Sequence, residues 1–188
     1  MLLVVGDVAG HGIEAAGAMA QMRNALRAYA MEETDLDALL TRLDRLVAAL
    51  TPDSMATVMV ALLDPDTGGV DLVSAGHPPP LLVSADGSAS LVRVDPGPPL
   101  GAGDLRILGS RGVAHQVLDH GDALLLVSDG MFERRDEAVD ASLLGLARQV
   151  SAAVSGTSDV ASALQHLLAR ARPALSEDDA TLLLLARR

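Results

Sequence analysis

Three short acidic stretches hold the residues most able to do chemistry. The first is Gly6-Asp7-Val8-Ala9-Gly10-His11-Gly12, the second Val127-Ser128-Asp129-Gly130, the third Glu177-Asp178-Asp179-Ala180-Thr181. Each sets an aspartate at one end of a strand-like apolar run. Asp7 follows Leu2-Leu3-Val4-Val5, Asp129 follows the run ending at Val127, and Asp178 precedes Thr181-Leu182-Leu183-Leu184-Leu185. A single aspartate in such a place reads as a turn former that bonds its own backbone. Strand ends are fixed points on a sheet, however, so three carboxylates at such ends can converge on one site. With no cysteine in the chain, converging carboxylates suit a hard, oxygen-liganded cation such as Mg²⁺ or Mn²⁺. Two such ions about 3.5–4 Å apart lower the pKa of a bridging water and clamp a phosphoryl group for in-line attack. The glycine-flanked turn from Val8 to Gly12 lets backbone groups approach that site closely.

The histidines divide by context. His11 lies near Asp7 and is a candidate to protonate a leaving serine oxygen or to touch phosphate; a supporting role is its plain alternative. His77, in Gly76-His77-Pro78-Pro79-Pro80, reads first as a structural residue that hydrogen-bonds a loop backbone. His115, His120 and His166 have no motif around them and are expected at the surface or core edge, and Asp122 is expected to close a turn.

The elements that must position these residues follow from periodicity. Leu2 to Val5 reads as a buried strand. From Ile13 to about Met31, Ala16, Met19, Met22, Leu26 and Tyr29 recur at helical spacing. A second helix, capped by Thr34 or Asp35, carries Leu36, Leu39, Leu40, Leu43, Leu46, Val47 and Leu50 on one face and ends at Pro52. Its acidic surroundings, Glu32, Glu33, Asp35 and Asp37, read as a solvated helix start. The period then changes to that of short strands: Ala56 to Leu63 and Val70 to Ser74 around the hairpin signal Asp64-Pro65-Asp66-Thr67-Gly68-Gly69, then Leu81 to Val83, Ser90 to Val94, Leu105 to Leu108, Val113 to Leu118 and Ala123 to Ser128. Helices over 137–154 and 158–172 and a last strand over 181–186 complete the chain. Strands in a run beside grouped helices indicate an α+β domain, compatible with a sandwich of two sheets and outer helices.

Composition narrows the function classes. A chain of 188 residues, 49% apolar, suits one domain with a real core. The formal charge of -11 and the near absence of aromatics (Tyr29 and Phe132) argue against a nucleic-acid partner. No apolar run approaches the roughly 20 residues of a membrane span. No signal-peptide pattern opens the chain, so no membrane partner and a cytoplasmic location are expected.

The acidic stretches, together with Ser74-Ala75-Gly76-His77-Pro78-Pro79-Pro80-Leu81-Leu82, Gly97-Pro98-Pro99-Leu100-Gly101 and Gly121-Asp122-Ala123-Leu124-Leu125-Leu126-Val127-Ser128-Asp129-Gly130, stand in an order that resembles the SpoIIE- and RsbU-like serine phosphatases, the bacterial branch of the PPM (type 2C) metal-dependent protein phosphatases. Each motif alone is weak; the joint order is specific. The resemblance implies an α+β, four-layer α-β-β-α sandwich over residues 1–188. This would be one PPM-type domain, truncated at its N-terminus relative to the family. It implies two Mn²⁺ or Mg²⁺ ions: Asp7 bridging both, the Val8 carbonyl on one, and Asp129 and Asp178 completing the other. Asp7 and His11 are then the catalytic candidates, with Gly130 and Asp179 supporting the ligands. The implied reaction is hydrolysis of a phosphoserine or phosphothreonine on an anti-anti-sigma-type regulator by a metal-bridging water. An upstream sensor domain or a homodimer is a further implied partner. Relatives carry two more strands and a Gly-Asp-x-x-Asp-like motif that supplies a ligand to the second metal. A chain lacking that ligand would be a regulator-binding module of the same fold without activity.

Overall fold

In the computed structural model the described residues are 1–50, 55–103, 110–132, 137–155, 159–171 and 180–187. They form two compact units. One comprises Met1–His77 with Val94–Gln116, the other Pro78–Arg93 with Val117–Arg188. Each combines one sheet with two helices, which is the α+β content expected from the sequence. The expected strand over 105–108 and the expected helix end at Pro52 lie outside the described residues.

The first unit opens with β1 (Leu2–Val8), α1 (Gly12–Tyr29), α2 (Leu36–Leu50), β2 (Ala56–Leu63) and β3 (Gly69–Ala75). β1 and β2 pair antiparallel from Leu2↔Leu62 to Val8↔Ala56, and β2 pairs antiparallel with β3. The turn between β2 and β3 is built as its sequence predicts. Asp64 accepts the Thr67 hydroxyl and the Asp66 amide, and these bonds hold its carboxyl below the usual carboxylate range. Both β6 (Pro96–Gly97), which is parallel, and β7 (Val113–Val117) pair with β3. Sequence alone gives Pro96–Gly97 as loop; a strand of two residues has no period to detect.

The two helices cover this sheet differently. In α2, Leu36, Leu39, Leu40, Leu43 and Val47 are buried as their spacing requires. Asp35 caps the helix, its carboxylate accepting the amides of Asp37 and Ala38. In α1 the buried stripe is Ala18, Met22 and Leu26, not the expected Ala16 and Met19. Met19 is half-exposed and Ile13 is 92% exposed. Small residues surround the true stripe on α1, so apolar periodicity does not single out one face.

A buried arginine fastens α2 to the loop after β6. Arg111 Nη2 lies 3.2 Å from Asp44 Oδ2, with both side chains almost fully buried. Its Nε and Nη2 also donate to the Pro98 carbonyl, and its backbone amide donates to Asp37. Asp44 Oδ1 accepts the Gly101 amide at 2.8 Å. Gly97 is required here, since a Cβ on it would collide with the Arg111 side chain. The acidic start of α2 is therefore partly structural, not merely solvated.

The second unit contains β4 (Leu81–Val83), β5 (Ala89–Leu91), β8 (Ala123–Val127), a 3₁₀ turn (Asp129–Met131), α3 (Val139–Val154), α4 (Val160–Ala171) and β9 (Leu182–Ala186). Its sheet runs β5-β4-β8-β9, antiparallel throughout. Leu143, Leu146, Val150 and Val154 of α3 and Leu164 of α4 pack with Leu81, Leu125 and Val127. Asp122 closes the turn before β8 as expected: its carboxylate accepts the amides of Ala85 and Asp119.

Breaking one partner of a buried ion pair strands the other charge, at about 3–5 kcal/mol. Asp44→Ala should lower the unfolding free energy by about that amount in urea titrations, whereas Glu32→Ala, which removes an exposed pair to Arg42, should change it far less. Equal losses in the two variants would contradict the role given to Arg111.

Candidate metal centre

In the first unit, Asp7 is the last residue but one of β1 and is exposed. The apolar run before it forms the strand, and the turn after it needs glycine at two places, with φ of 101° at Gly10 and 85° at Gly12. A side chain added at either would meet nothing within 4 Å, so this turn is shaped by backbone conformation and is open to approach. Val8 is buried and continues β1, while the Ala9 amide is held by the Met55 carbonyl at 2.8 Å. His11 sits at the N-cap position of α1, extended and exposed, with no side-chain cap bond. Its imidazole thus stands at a helix N-terminus, where an anion is favoured.

Asp7 lines a cavity of about 540 Å³ between β1, β2 and α1, with Val4, Val8, Met22, Arg23 and Thr57 among its walls. Thr57 is the direct cross-strand neighbour of Asp7. Behind it, His77 is 3% exposed and its Nδ1 lies 2.9 Å from Thr57 Oγ1. The side chain that caps this loop's backbone is that of Ser74: the His77 amide donates to Ser74 Oγ, whose hydroxyl donates back to the His77 carbonyl. The ring contact to Thr57 is additional. His115 and His166 are exposed, as expected, and so is His120.

In the second unit, Asp129 follows β8 and starts the 3₁₀ turn. It is half-buried, and its Oδ1 accepts the amide of Gly130 at 2.8 Å. Ser128 ties the third motif to this place. Its Oγ accepts the Thr181 amide at 2.8 Å, and its own amide donates to the Thr181 carbonyl. The end of β8 and the start of β9 are thereby locked together. Asp178 and Asp179 lie outside the described residues.

Taken each in its own unit, the carboxylates of Asp7 and Asp129 offer oxygen atoms of the kind that a hard divalent cation takes, and the chain has no thiolate to compete. Among the described residues no three His, Cys, Asp or Glu side chains come together as a complete set. Sequence reasoning missed Thr57 and Ser128 as partners of the site. Thr57 carries the only hydroxyl in Ala56–Leu63, which is the one signal that could have marked it.

Comparison with known proteins bears on the whole chain. Residues 1–188 match the Stage II sporulation protein E (SpoIIE) family. The structure is similar to the RsbU and RsbW domains of a Mycobacterium tuberculosis protein, at 37% identity and a TM-score of 0.81, covering 100% of this chain and 51% of that one. It also resembles the PP2C phosphatase domain and regulatory fragment of SpoIIE from Bacillus subtilis, at 20% identity and TM-score 0.74, covering 97% and 53%. A third likeness, 18% identical with TM-score 0.60 and covering 97% and 85%, is to the catalytic domain of the serine threonine protein phosphatase PstP in complex with 2 manganese ions. The chain spans about half the length of the first two.

Loss of a buried hydrogen-bond acceptor leaves its donor unsatisfied, at about 1–3 kcal/mol. Ser128→Ala should therefore destabilise the protein by that order and speed amide exchange at Thr181 and Leu182 before it affects β4. Unchanged exchange at those amides would show that Ser128 does not hold the strand ends together.

Proposed function

The chain belongs to the SpoIIE family, and from that premise we propose that it is a Mn²⁺- or Mg²⁺-dependent phosphatase acting on phosphoserine or phosphothreonine. The carrying observation is the match over residues 1–188, with Asp7 and Asp129 each standing at the end of a sheet strand in its own unit. The manganese ions of PstP, a structure of similar fold, support the choice of metal. Asp7, the Val8 carbonyl, Asp129 and Asp178 would hold two cations. Bound there, the ions supply Lewis acidity toward phosphoryl oxygens and activate water at neutral pH.

The protein's own residues do the rest. Asp7 and Asp129 contribute negative charge at fixed strand ends, so little reorganisation accompanies binding. His11, at the exposed start of α1, is positioned to contact a phosphate or to give a proton to the leaving serine oxygen. Gly130 fixes Asp129 by its amide, and Asp179 is assigned a supporting place beside Asp178. No cysteine exists to act as a nucleophile, which accords with direct attack by water.

The substrate we favour is a phosphorylated anti-anti-sigma-like protein, consistent with the RsbU and RsbW domains of the 37%-identical structure. An upstream sensor domain or a second copy is the expected regulator. None of the described helices is long and apolar enough to cross a membrane; action in the cytoplasm is part of the same proposal.

Two comparisons test this reading. Asp129→Asn should abolish phosphate release from a phosphoserine peptide while circular dichroism stays that of the parent. Undiminished release would remove Asp129 from the site. Assayed side by side, the phosphopeptide should be preferred over small phosphate esters; the reverse preference would make the protein a small-molecule phosphatase. Binding of the phosphoprotein without release, in parent and variant alike, would mark a regulator-binding module.

A further inference from the structure

The contact between His77 and Thr57 asks for a reason beyond loop capping. His77 is already anchored through its backbone to Ser74. Gly76 is pressed against Pro99, where a Cβ would come within 2.6 Å of the proline Cγ, and has φ of 68°. The loop that carries the imidazole is thus held by its own bonds and packing before the ring makes any contact. The ring nitrogen then meets Thr57 Oγ1 at 2.9 Å, on the strand that faces Asp7. Directly opposed residues of an antiparallel pair project from the same face, with Cβ atoms about 4.5–5.5 Å apart. The Asp7 and Thr57 side chains are such a pair. Threonine has few χ1 wells, and a hydrogen bond to a buried, immobile imidazole selects one of them.

We propose that His77 is a positioning residue for Asp7, acting through Thr57. The imidazole fixes the Thr57 hydroxyl, and the fixed threonine limits the rotamers open to the carboxylate across the strand pair. The carboxylate is then held ready for a divalent cation, with neither His77 nor Thr57 serving as a ligand. This rests on the reading of Asp7 as a metal ligand. Groups that orient a ligand from behind typically change metal affinity by about 10–100-fold when removed.

The test measures Mn²⁺ affinity directly, from the electron paramagnetic resonance signal of free Mn²⁺, with no turnover required. Thr57→Val, which keeps the shape and removes the hydroxyl, should weaken binding about tenfold. His77→Leu should do the same, and the double variant should be no weaker than the single ones, because both remove one interaction. Thr57→Ser and His77→Asn, which keep a hydrogen-bonding atom in place, should restore affinity toward the parent. A purely structural role would lower the melting temperature and leave the Mn²⁺ dissociation constant unmoved. Thr57→Val binding as tightly as the parent overturns the proposal, and decides it even if His77→Leu fails to fold. Losses that multiply in the double variant overturn it as well. Asp7→Asn separates the two levels. If it weakens binding while Thr57→Val does not, only the positioning role fails; if Asp7→Asn leaves affinity unchanged, the ligand assignment fails and the positioning role with it.

Discussion

The register of β1 against β2 decides what the first acidic motif can do. Seven residue pairs run from Leu2↔Leu62 to Val8↔Ala56, and they set Asp7 opposite Thr57. The side-chain period of a strand is two, so a slip of one residue would send Asp7 to the other face of the sheet and bring its apolar neighbours out. Leu3 and Val5, which share the face of Asp7 by the two-residue period, are buried and hold that face inward. An apolar pattern with no chemistry of its own thus fixes the direction of a carboxylate. Met22 and Leu26 of α1 pack with Val8, Val58 and Val60 on the other face of the sheet, and the turn that leads into the helix is shaped by Gly10 and Gly12.

Buried polar groups secure the parts that apolar packing alone leaves loose. Arg111 joins α2 to the loop after β6 through Asp44 and the Pro98 carbonyl. Ser128 joins the ends of β8 and β9. Asp122 gathers two amides at the opposite end of β8. Each is a case in which a charge or hydroxyl loses water and gains directed partners, so each contributes modestly when intact and costs heavily when broken. Each also lies where the chain changes direction next to a motif. The sheets provide the stability; these clips hold the turns beside the motifs in place.

Much of this was legible in the chain itself. The face of α2 was readable because its leucines recur at helical spacing against charged neighbours. The β2–β3 hairpin was readable because Asp64-Pro65-Asp66-Thr67-Gly68-Gly69 combines turn chemistry with flanking β-branched residues. The strand-end positions of Asp7 and Asp129 were readable because aspartate and glycine interrupt apolar runs there. The buried face of α1 was not, since alanine and methionine populate several of its sides. Arg111 was illegible for a different reason: a lone arginine between Ser110 and Gly112 has no local signal, and its partners lie 67 and 13 residues away. Thr57 and His77, 20 residues apart, meet only once β2 and β3 have paired. Non-local polar contacts of this kind are set by topology, which no window along the sequence contains.

One measurement bears most directly on metal-dependent phosphatase chemistry: phosphate release from a phosphoserine substrate by this chain, after chelation and then with Mn²⁺ restored. Silence in the chelated protein and turnover on adding millimolar Mn²⁺ is the predicted result. Release that persists unchanged in the chelated protein would contradict it, because a chain without cysteine and with its acidic motifs at strand ends would then be hydrolysing phosphate by a route in which those carboxylates have no part.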